Sequence, residues 1–277
     1  MAVSRKTKNS SQSANPAVRQ EKKKLLRGII LLAVLVLLIA GGVAALFWLQ
    51  DRMFKGNDHF VLRHVNIESS GYWGKGIENR RVLLGKLNLQ AGKDNLFELD
   101  MRKIRSVLRA IPNIADARVS KTLPDTLNLH IEERIPRAFV GRPNSPQVVD
   151  ANCVVMNSRE CFGVHPRLPV INGMKHTYLK VGEQHRALQE ALNLIMTVQR
   201  YPCFSVVMVN LSQADKLVVY MDYHVRHMVR RYHVTMPVGN YTEWLDTLKS
   251  AIENARRHGN DHNRINLTFQ DQVVLSR

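Results

Sequence analysis

The longest apolar stretch of the chain, residues 28–50, contains no charged side chain. As a helix it would measure about 34 Å, enough to cross the roughly 30 Å hydrocarbon core of a bilayer. The alternative, a cleaved signal peptide, has a shorter apolar core of about 7–15 residues and a small-residue cleavage site. Residues 43–45 match that site poorly, and the apolar run continues beyond them. We therefore predict an uncleaved transmembrane helix at 28–50.

Residues 58–135 carry the polar and apolar pattern of a small domain with three strands and two helices. Asp100 is a favourable N-cap before apolar residues spaced by three and four, and Pro112 ends that helical pattern. Strict alternation of polar and apolar residues predicts half-buried strands on either side. The predicted elements are, in order, a strand at 60–67, helices at 78–88 and 101–111, and strands at 117–120 and 127–132.

Residues 136–277 predict a second, larger domain in which helices cover a sheet. Amphipathic helices are predicted at 184–200 and 241–257, because their apolar residues recur at helical spacing. Strands are predicted at 147–150, 153–156, 168–173, 205–211, 216–221, 230–236, 265–269 and 272–275. The expected fold class is α+β: one transmembrane helix, a β-α-α-β-β domain, and a distal, mostly antiparallel β domain covered by helices.

The distribution of charge predicts the orientation of the chain. Residues 1–27 hold eight Lys and Arg side chains against one Glu, whereas the other flank of the span is balanced. Lys and Arg are retained on the cytoplasmic side, so the N-terminus should be cytoplasmic and the bulk of the chain exported. Few apolar groups occur before the span, and we predict that 1–27 is a disordered basic tail. The formal net charge of +17 does not indicate nucleic acid binding, because an exported domain does not meet that partner.

The three cysteines, Cys153, Cys161 and Cys203, would then lie in a compartment that permits disulfides. Cys153 and Cys161 bracket a predicted hairpin and could be bonded, while the odd number leaves at least one thiol over. Burial as small hydrophobic side chains is an equally good interpretation.

Catalytic and metal-binding chemistry is sparse in this sequence. His224, His227 and His233 lie near one another, but their spacing matches no known set of metal ligands. No P-loop, no nucleophile elbow and no plausible Cys/His dyad occurs. We expect no catalytic residue, metal, cofactor or small-molecule substrate, and hence no enzyme activity.

Residues 111–138 carry a distinctive succession of motifs: a proline ends the second helix, a Pro-Asp-Thr-Leu turn follows, and Glu-Arg-Ile-Pro-Arg-Ala leads onward. In order and spacing this stretch resembles the FtsQ/DivIB family of bacterial division proteins. The residues that carry this motif are Pro112, Pro124, Asp125, Leu127, Glu133, Arg134 and Pro136. Weaker similarities occur at 149–155, 168–173 and 264–269. The resemblance implies a POTRA (polypeptide-transport-associated) domain at 58–135 and an FtsQ-type β domain at 136–277.

The resemblance also implies a function, that of a scaffold in the inner membrane at the bacterial division site. Such a single-pass, type II protein links membrane division proteins for septal peptidoglycan synthesis, and its implied partners are FtsB-like and FtsL-like single-span proteins and other divisome proteins. An exposed edge strand can accept a strand from such a partner. The candidate edge residues are Phe269, Gln270, Asp271, Gln272, Val273, Val274 and Leu275. The alternative is that this strand only completes the sheet.

Two other classes of function compete with the scaffold. POTRA domains also precede outer-membrane β-barrels, so a component of polypeptide transport or outer-membrane assembly is the alternative. Such chains carry a cleaved signal and many amphipathic strands of about ten residues, unlike the uncleaved span and covering helices predicted here. A membrane-anchored wall enzyme would need catalytic residues that the sequence lacks.

Overall fold

The computed structural model describes residues 16–55, 57–174, 179–226, 228–259, 262–269 and 272–276. The chain divides after Phe60 into two compact units, 1–60 and 61–277.

The first unit consists mainly of one long helix, α1 (Pro16–Gln50), which continues into a π-helical turn at Asp51–Lys55. Gly28–Lys55 is long and apolar enough to cross a membrane, and its large apolar side chains are exposed. The prediction of a helix at 28–50 is confirmed. The prediction of a disordered tail over 1–27 is wrong for residues 16–27, which are helical. Proline suits a first helical turn, and the Ala, Gln, Glu, Lys and Leu residues that follow favour a helix. Residues 1–15 lie outside the described part of the chain.

The second unit begins with three strands and two helices in the predicted order. They are β1 (His64–Glu68), α2 (Ile77–Leu87), α3 (Met101–Arg109), β2 (Ile114–Thr122) and β3 (Thr126–Glu133). The sheet order is β1-β3-β2, with β1 parallel and β2 antiparallel to β3. The Asp100 carboxylate accepts hydrogen bonds from the backbone N–H groups of Arg102 and Lys103 at 2.8 and 3.2 Å, so the predicted cap is confirmed. Leu83 of α2 and Leu108 of α3 are buried in one hydrophobic cluster with residues of this sheet.

Two glycines of this region differ in the space beside them, and alanine should affect them in opposite ways. A Cβ on Gly74 would lie 1.9 Å from the backbone oxygen of Ser69, whereas a Cβ on Gly85 in α2 would face open space. Gly85→Ala should raise the free energy of unfolding by about 0.5–1 kcal/mol, because glycine is unfavourable inside a helix. Gly74→Ala should lower it by about 1–3 kcal/mol, because the backbone must move. Urea denaturation measures both, and changes of the same sign would contradict this account.

The rest of the second unit is a nine-stranded sheet with two helices. Its elements are β4 (Ala138–Val140), β5 (Gln147–Val149), β6 (Val155–Asn157), β7 (Val170–Asn172), α4 (Gln189–Val198), β8 (Phe204–Asn210), β9 (Lys216–Val225), β10 (Met228–Pro237), α5 (Tyr241–Arg257), β11 (Arg264–Phe269) and β12 (Gln272–Ser276). The sheet order is β12-β11-β10-β9-β8-β7-β4-β5-β6.

Most neighbouring strands of this sheet are antiparallel, as predicted. The parallel neighbours are β4 with β7, β7 with β8, and β10 with β11. Leu192 of α4 and Leu248 of α5 pack with Val219 and Val234 of the sheet in one buried cluster. Strand β4 was not predicted, because its three residues are all buried and show no alternation.

Candidate functional site

Strand β12 forms one end of the nine-stranded sheet and pairs only on its β11 side among the described residues. It contains the predicted edge residues Gln272 to Leu275. Phe269 lies at the end of β11 and is 52% exposed. Gln270 and Asp271 lie outside the described residues. The structure therefore places the described part of the predicted segment at an edge.

The direction of the β11 backbone follows from one hydrogen bond. The N–H of His233 in β10 donates to the carbonyl of Asn263 at 2.8 Å. In a parallel pair, a residue forms hydrogen bonds with the two residues on either side of the residue opposite it. Arg264 lies opposite His233, and Asn263 is one of its two neighbours. Backbone groups of successive residues point to opposite sides of a strand, so Asn266 directs its N–H and C=O away from β10 and toward β12.

Among the described residues, the backbone groups of β12 that face away from any paired strand therefore belong to Val273 and Leu275. Val274 lies opposite Asn266 and directs its N–H and C=O back to β11. Its two neighbours direct theirs away from the sheet, where an incoming strand would bind. The side chain of Val274 is 40% exposed, whereas Val273 and Leu275 pack against the core.

A groove of about 710 Å³ lies between α5 and β12. Val273 and Leu275 line it from the strand. Small and polar residues line it from the helix, among them Ser250, Ala251 and Asn254. These small side chains leave room beside the edge for the side chains of an added strand.

The opposite end of the sheet, β6, is covered. The N–H of Val155 donates to the carbonyl of Glu183 at 3.1 Å, and the N–H of Gly182 donates to the carbonyl of Val155 at 2.8 Å. Val154 also forms a bridge with Gln184. Covering an edge with a loop prevents unwanted pairing. Among the described residues, β12 is therefore the uncovered end of this sheet.

The Pro-Asp-Thr-Leu turn of the POTRA motif holds the start of β1 beside β3. Pro124 follows a cis peptide bond. The carbonyl of Asp125 accepts hydrogen bonds from the backbone N–H groups of Arg63 and His64 at 2.9 and 3.2 Å. Leu127 is fully buried in the core under α2 and α3. These motif residues therefore have structural contacts.

Glu133 of the motif binds the loop that follows β1. Its carboxylate accepts hydrogen bonds from the Ser69 hydroxyl at 2.5 Å and from the N–H groups of Tyr72 and Trp73 at 2.7 and 2.8 Å. Gly71 leaves room for this carboxylate, because a Cβ there would push the Glu133 oxygens away from their donors.

Arg134 joins the POTRA region to the distal sheet. Its Nη1 donates to Asp150 Oδ2 at 2.8 Å, and the two side chains are 19% and 5% exposed. The other oxygen of Asp150 accepts the N–H groups of Asn152 and Val154 at 2.9 and 2.8 Å, which closes the β5–β6 turn. Pro136, in the connection from β3 to β4, is buried.

Further contacts across this junction were missed from the sequence. Asn113, directly after Pro112, donates from its side-chain amide to the carbonyl of Glu160 and accepts from the indole N–H of Trp73 at 3.0 Å. Lys75 Nζ lies 3.7 Å from the centre of the Phe162 ring. Contacts between residues that are tens of positions apart leave no periodic signal in the sequence. The one available clue was that Asn113 stands next to Pro112 of the motif.

All three cysteines are free thiols, so of the two interpretations left open by the sequence the structure does not contain the possible bond between Cys153 and Cys161. Cys153 is buried and donates to Gln189 Oε1 at 3.2 Å, while Cys161 donates to the carbonyl of Asn157 at 3.2 Å. The two thiols bind different elements, which explains why the hairpin does not bring them together. Burial, with the nearby Glu133, Glu160 and Asp150 carboxylates, raises the pKa of Cys161 to about 12.

Within the described ranges, no group of three or more His, Cys, Asp or Glu side chains could hold a metal ion. His227 lies outside those ranges. The surfaces that stand out are thus an open strand edge and a tight junction. The fold gives the class of the molecule: an α+β protein with a POTRA region, a large sheet and a candidate membrane helix.

Comparisons with known proteins agree with this class. A family model described as "POTRA domain, FtsQ-type" matches residues 79–134, which run from α2 to the end of β3. The cell division protein FtsQ of Syntrophotalea carbinolica is 30% identical over 157 residues, 56% of this chain and 53% of that protein. The cell division protein DivIB of Clostridium tetani is 23% identical over 109 residues, 39% of this chain and 40% of that protein. The FtsQ of Anaeromyxobacter sp. (strain K) is 29% identical over 160 residues, 58% of this chain and 51% of that protein.

The matched part of the chain spans about half the length of these curated relatives, or less. Over a little more than half of its length, this chain is similar to cell division proteins of the FtsQ/DivIB family.

Proposed function

We propose that this chain is a single-span, non-catalytic scaffold of the division machinery. In this proposal 1–27 is cytoplasmic, 28–50 crosses the inner membrane, and a POTRA domain (58–135) and an FtsQ-type β domain (136–277) are exported. The basic flank before the span supports this orientation, because Lys and Arg are retained inside.

The scaffold recruits FtsB-like and FtsL-like single-span proteins for septal peptidoglycan synthesis. The observation that carries this proposal is the uncovered edge of β12, with the outward N–H and C=O groups of Val273 and Leu275. Main-chain hydrogen bonds to an added strand supply affinity, and alternate side chains beside the 710 Å³ groove supply selection.

The test is affinity purification of the tagged full chain from solubilised membranes, with mass spectrometry of what is captured. We expect single-span division proteins to be enriched and a fluorescent fusion to form a band at midcell. Uniform envelope staining with captured outer-membrane assembly proteins would support the transport alternative instead. Protease added to intact spheroplasts should digest the part after residue 50, and its survival would contradict the orientation.

A further inference from the structure

Two adjacent cavities lie at the end of the sheet where the parallel strands β4, β7 and β8 begin. The smaller, of about 230 Å³, is lined by residues that precede or open these strands and by α4. The larger, of about 600 Å³, extends over β8, β9 and β10. Both are bordered by Arg167, Leu168, Ser205 and Val206. We call the two together the arginine cleft.

Two guanidinium groups in the arginine cleft have no acceptor among the described residues. They belong to Arg137 and Arg167, and the Nε of Arg137 is buried without a hydrogen bond. Burying a donor without an acceptor is unfavourable, and no described residue compensates the positive charge of this guanidinium.

The cleft also contains an ion pair, between Arg231 and Asp222, which adds no net charge. Arg231 donates from Nε to Asp222 Oδ1 at 2.8 Å and from Nη2 to Oδ2 at 3.0 Å. Within the described part of the chain, Asp222 is the one acid that lines either cavity. The cleft therefore keeps the positive charge of Arg137 and Arg167.

Backbone donors at this end of the sheet are already engaged. The N–H of Phe139 donates to the carbonyl of Pro169 at 2.8 Å, and the N–H of Phe204 donates to the carbonyl of Tyr201 at 2.9 Å. Side chains must therefore recognise any ligand. Beside the two arginines, the larger cavity offers a Ser205 hydroxyl that lies 2.8 Å from His224 Nε2.

We propose that the arginine cleft binds an extended acidic segment of a partner polypeptide. A guanidinium matches a carboxylate with two parallel hydrogen bonds. The walls of the smaller cavity are largely apolar, with Leu168, Pro169 and Val198, so the ligand carries apolar side chains beside its carboxylates. Inorganic phosphate has no such surface to bury. The smaller cavity, of about 230 Å³, has less volume than a single turn of a helix about 10–12 Å across, which favours an extended chain.

The experiment measures fluorescence anisotropy of a labelled peptide, Gly-Leu-Glu-Val-Glu-Leu-Gly, titrated with the full chain in non-ionic detergent. Arg137→Gln and Arg167→Gln should each weaken binding at least tenfold. Arg118→Gln, which removes the same charge from an exposed position in β2, should change it less than twofold. The same peptide with Gln in place of Glu should not bind. Arg167 is exposed, so its variant keeps the test valid if Arg137→Gln impairs folding.

Three outcomes would overturn the proposal: equal binding by the two arginine variants and the wild type, equal binding of the Gln peptide, or a peptide affinity no greater than that of inorganic phosphate. The last would indicate a simple anion site. This inference goes beyond the proposed function and does not involve β12. Val273→Pro should leave peptide binding unchanged, which separates a failure here from a failure of the edge-strand proposal.

Discussion

Val273→Pro is expected to abolish capture of the proposed FtsB-like partner while leaving the unit formed by residues 61–277 folded. Proline removes the N–H that Val273 directs away from the sheet, and its ring fills the path of an incoming strand. The pairing of β12 with β11 uses Val274 and is retained. The affinity of the full chain for the partner should fall at least tenfold, about 1.4 kcal/mol, in a binding titration in detergent.

Two variants serve as controls for this experiment. Val273→Ala keeps the outward N–H and loses only part of the side chain, so it should bind the partner nearly as well as the wild type. Val274→Pro removes a donor of the β11–β12 ladder, so it should lower thermal stability as well as binding. If Val273→Pro binds the partner as tightly as Val273→Ala, the strand only completes the sheet.

Asp150→Asn is expected to give a large loss of stability. The new amide keeps an oxygen for the N–H groups of Asn152 and Val154 but turns an NH₂ group toward Arg134. The guanidinium, 19% exposed, then has no acceptor, and its Nε already lacks one among the described residues. Breaking a buried ion pair on one side costs about 3–5 kcal/mol. The melting temperature of the full chain should fall by roughly 6–20 °C.

Matched variants identify the cause of that loss. Glu78→Gln breaks an ion pair with Arg81 whose side chains are 77% and 74% exposed, and it should change stability by less than about 0.5 kcal/mol. Adding Arg134→Met to Asp150→Asn should recover part of the loss, because no unpaired cation remains. Scanning fluorimetry of the four proteins, wild type included, checks the series. A fall of the same size for Glu78→Gln and Asp150→Asn would show that burial of the pair is unimportant.

The secondary structure of this chain was largely predictable because its signals are local. The cap at Asp100, the stop at Pro112 and the alternation over 127–132 each involve neighbouring residues, and each matches the structure. The prediction for 1–27 was wrong from Pro16 onward because a charged sequence can be polar and still favour a helix. Strand β4 was not predicted because a strand that is buried on both faces shows no alternation of polar and apolar residues.

The candidate site was predictable in place but not in detail. The resemblance pointed to Glu133 and Arg134, yet the partners of these residues, Ser69 and Asp150, lie far away in sequence. The positions of Cys153 and Cys161 in a predicted hairpin made a disulfide possible. In the structure, however, the Cys153 thiol donates to Gln189 and the Cys161 thiol donates to Asn157.

The sequence by itself determined the apolar helix, the order of the helices and strands, and the motif that indicated the family, because periodicity, capping and turn chemistry act over a few residues. Only the tertiary structure decided which strand ends the sheet among the described residues and that Val273 and Leu275, rather than Val274, direct their backbone groups away from β11. It also decided that Arg137 and Arg167 line one cleft. These properties depend on strand order and register, which arise when distant segments pack together.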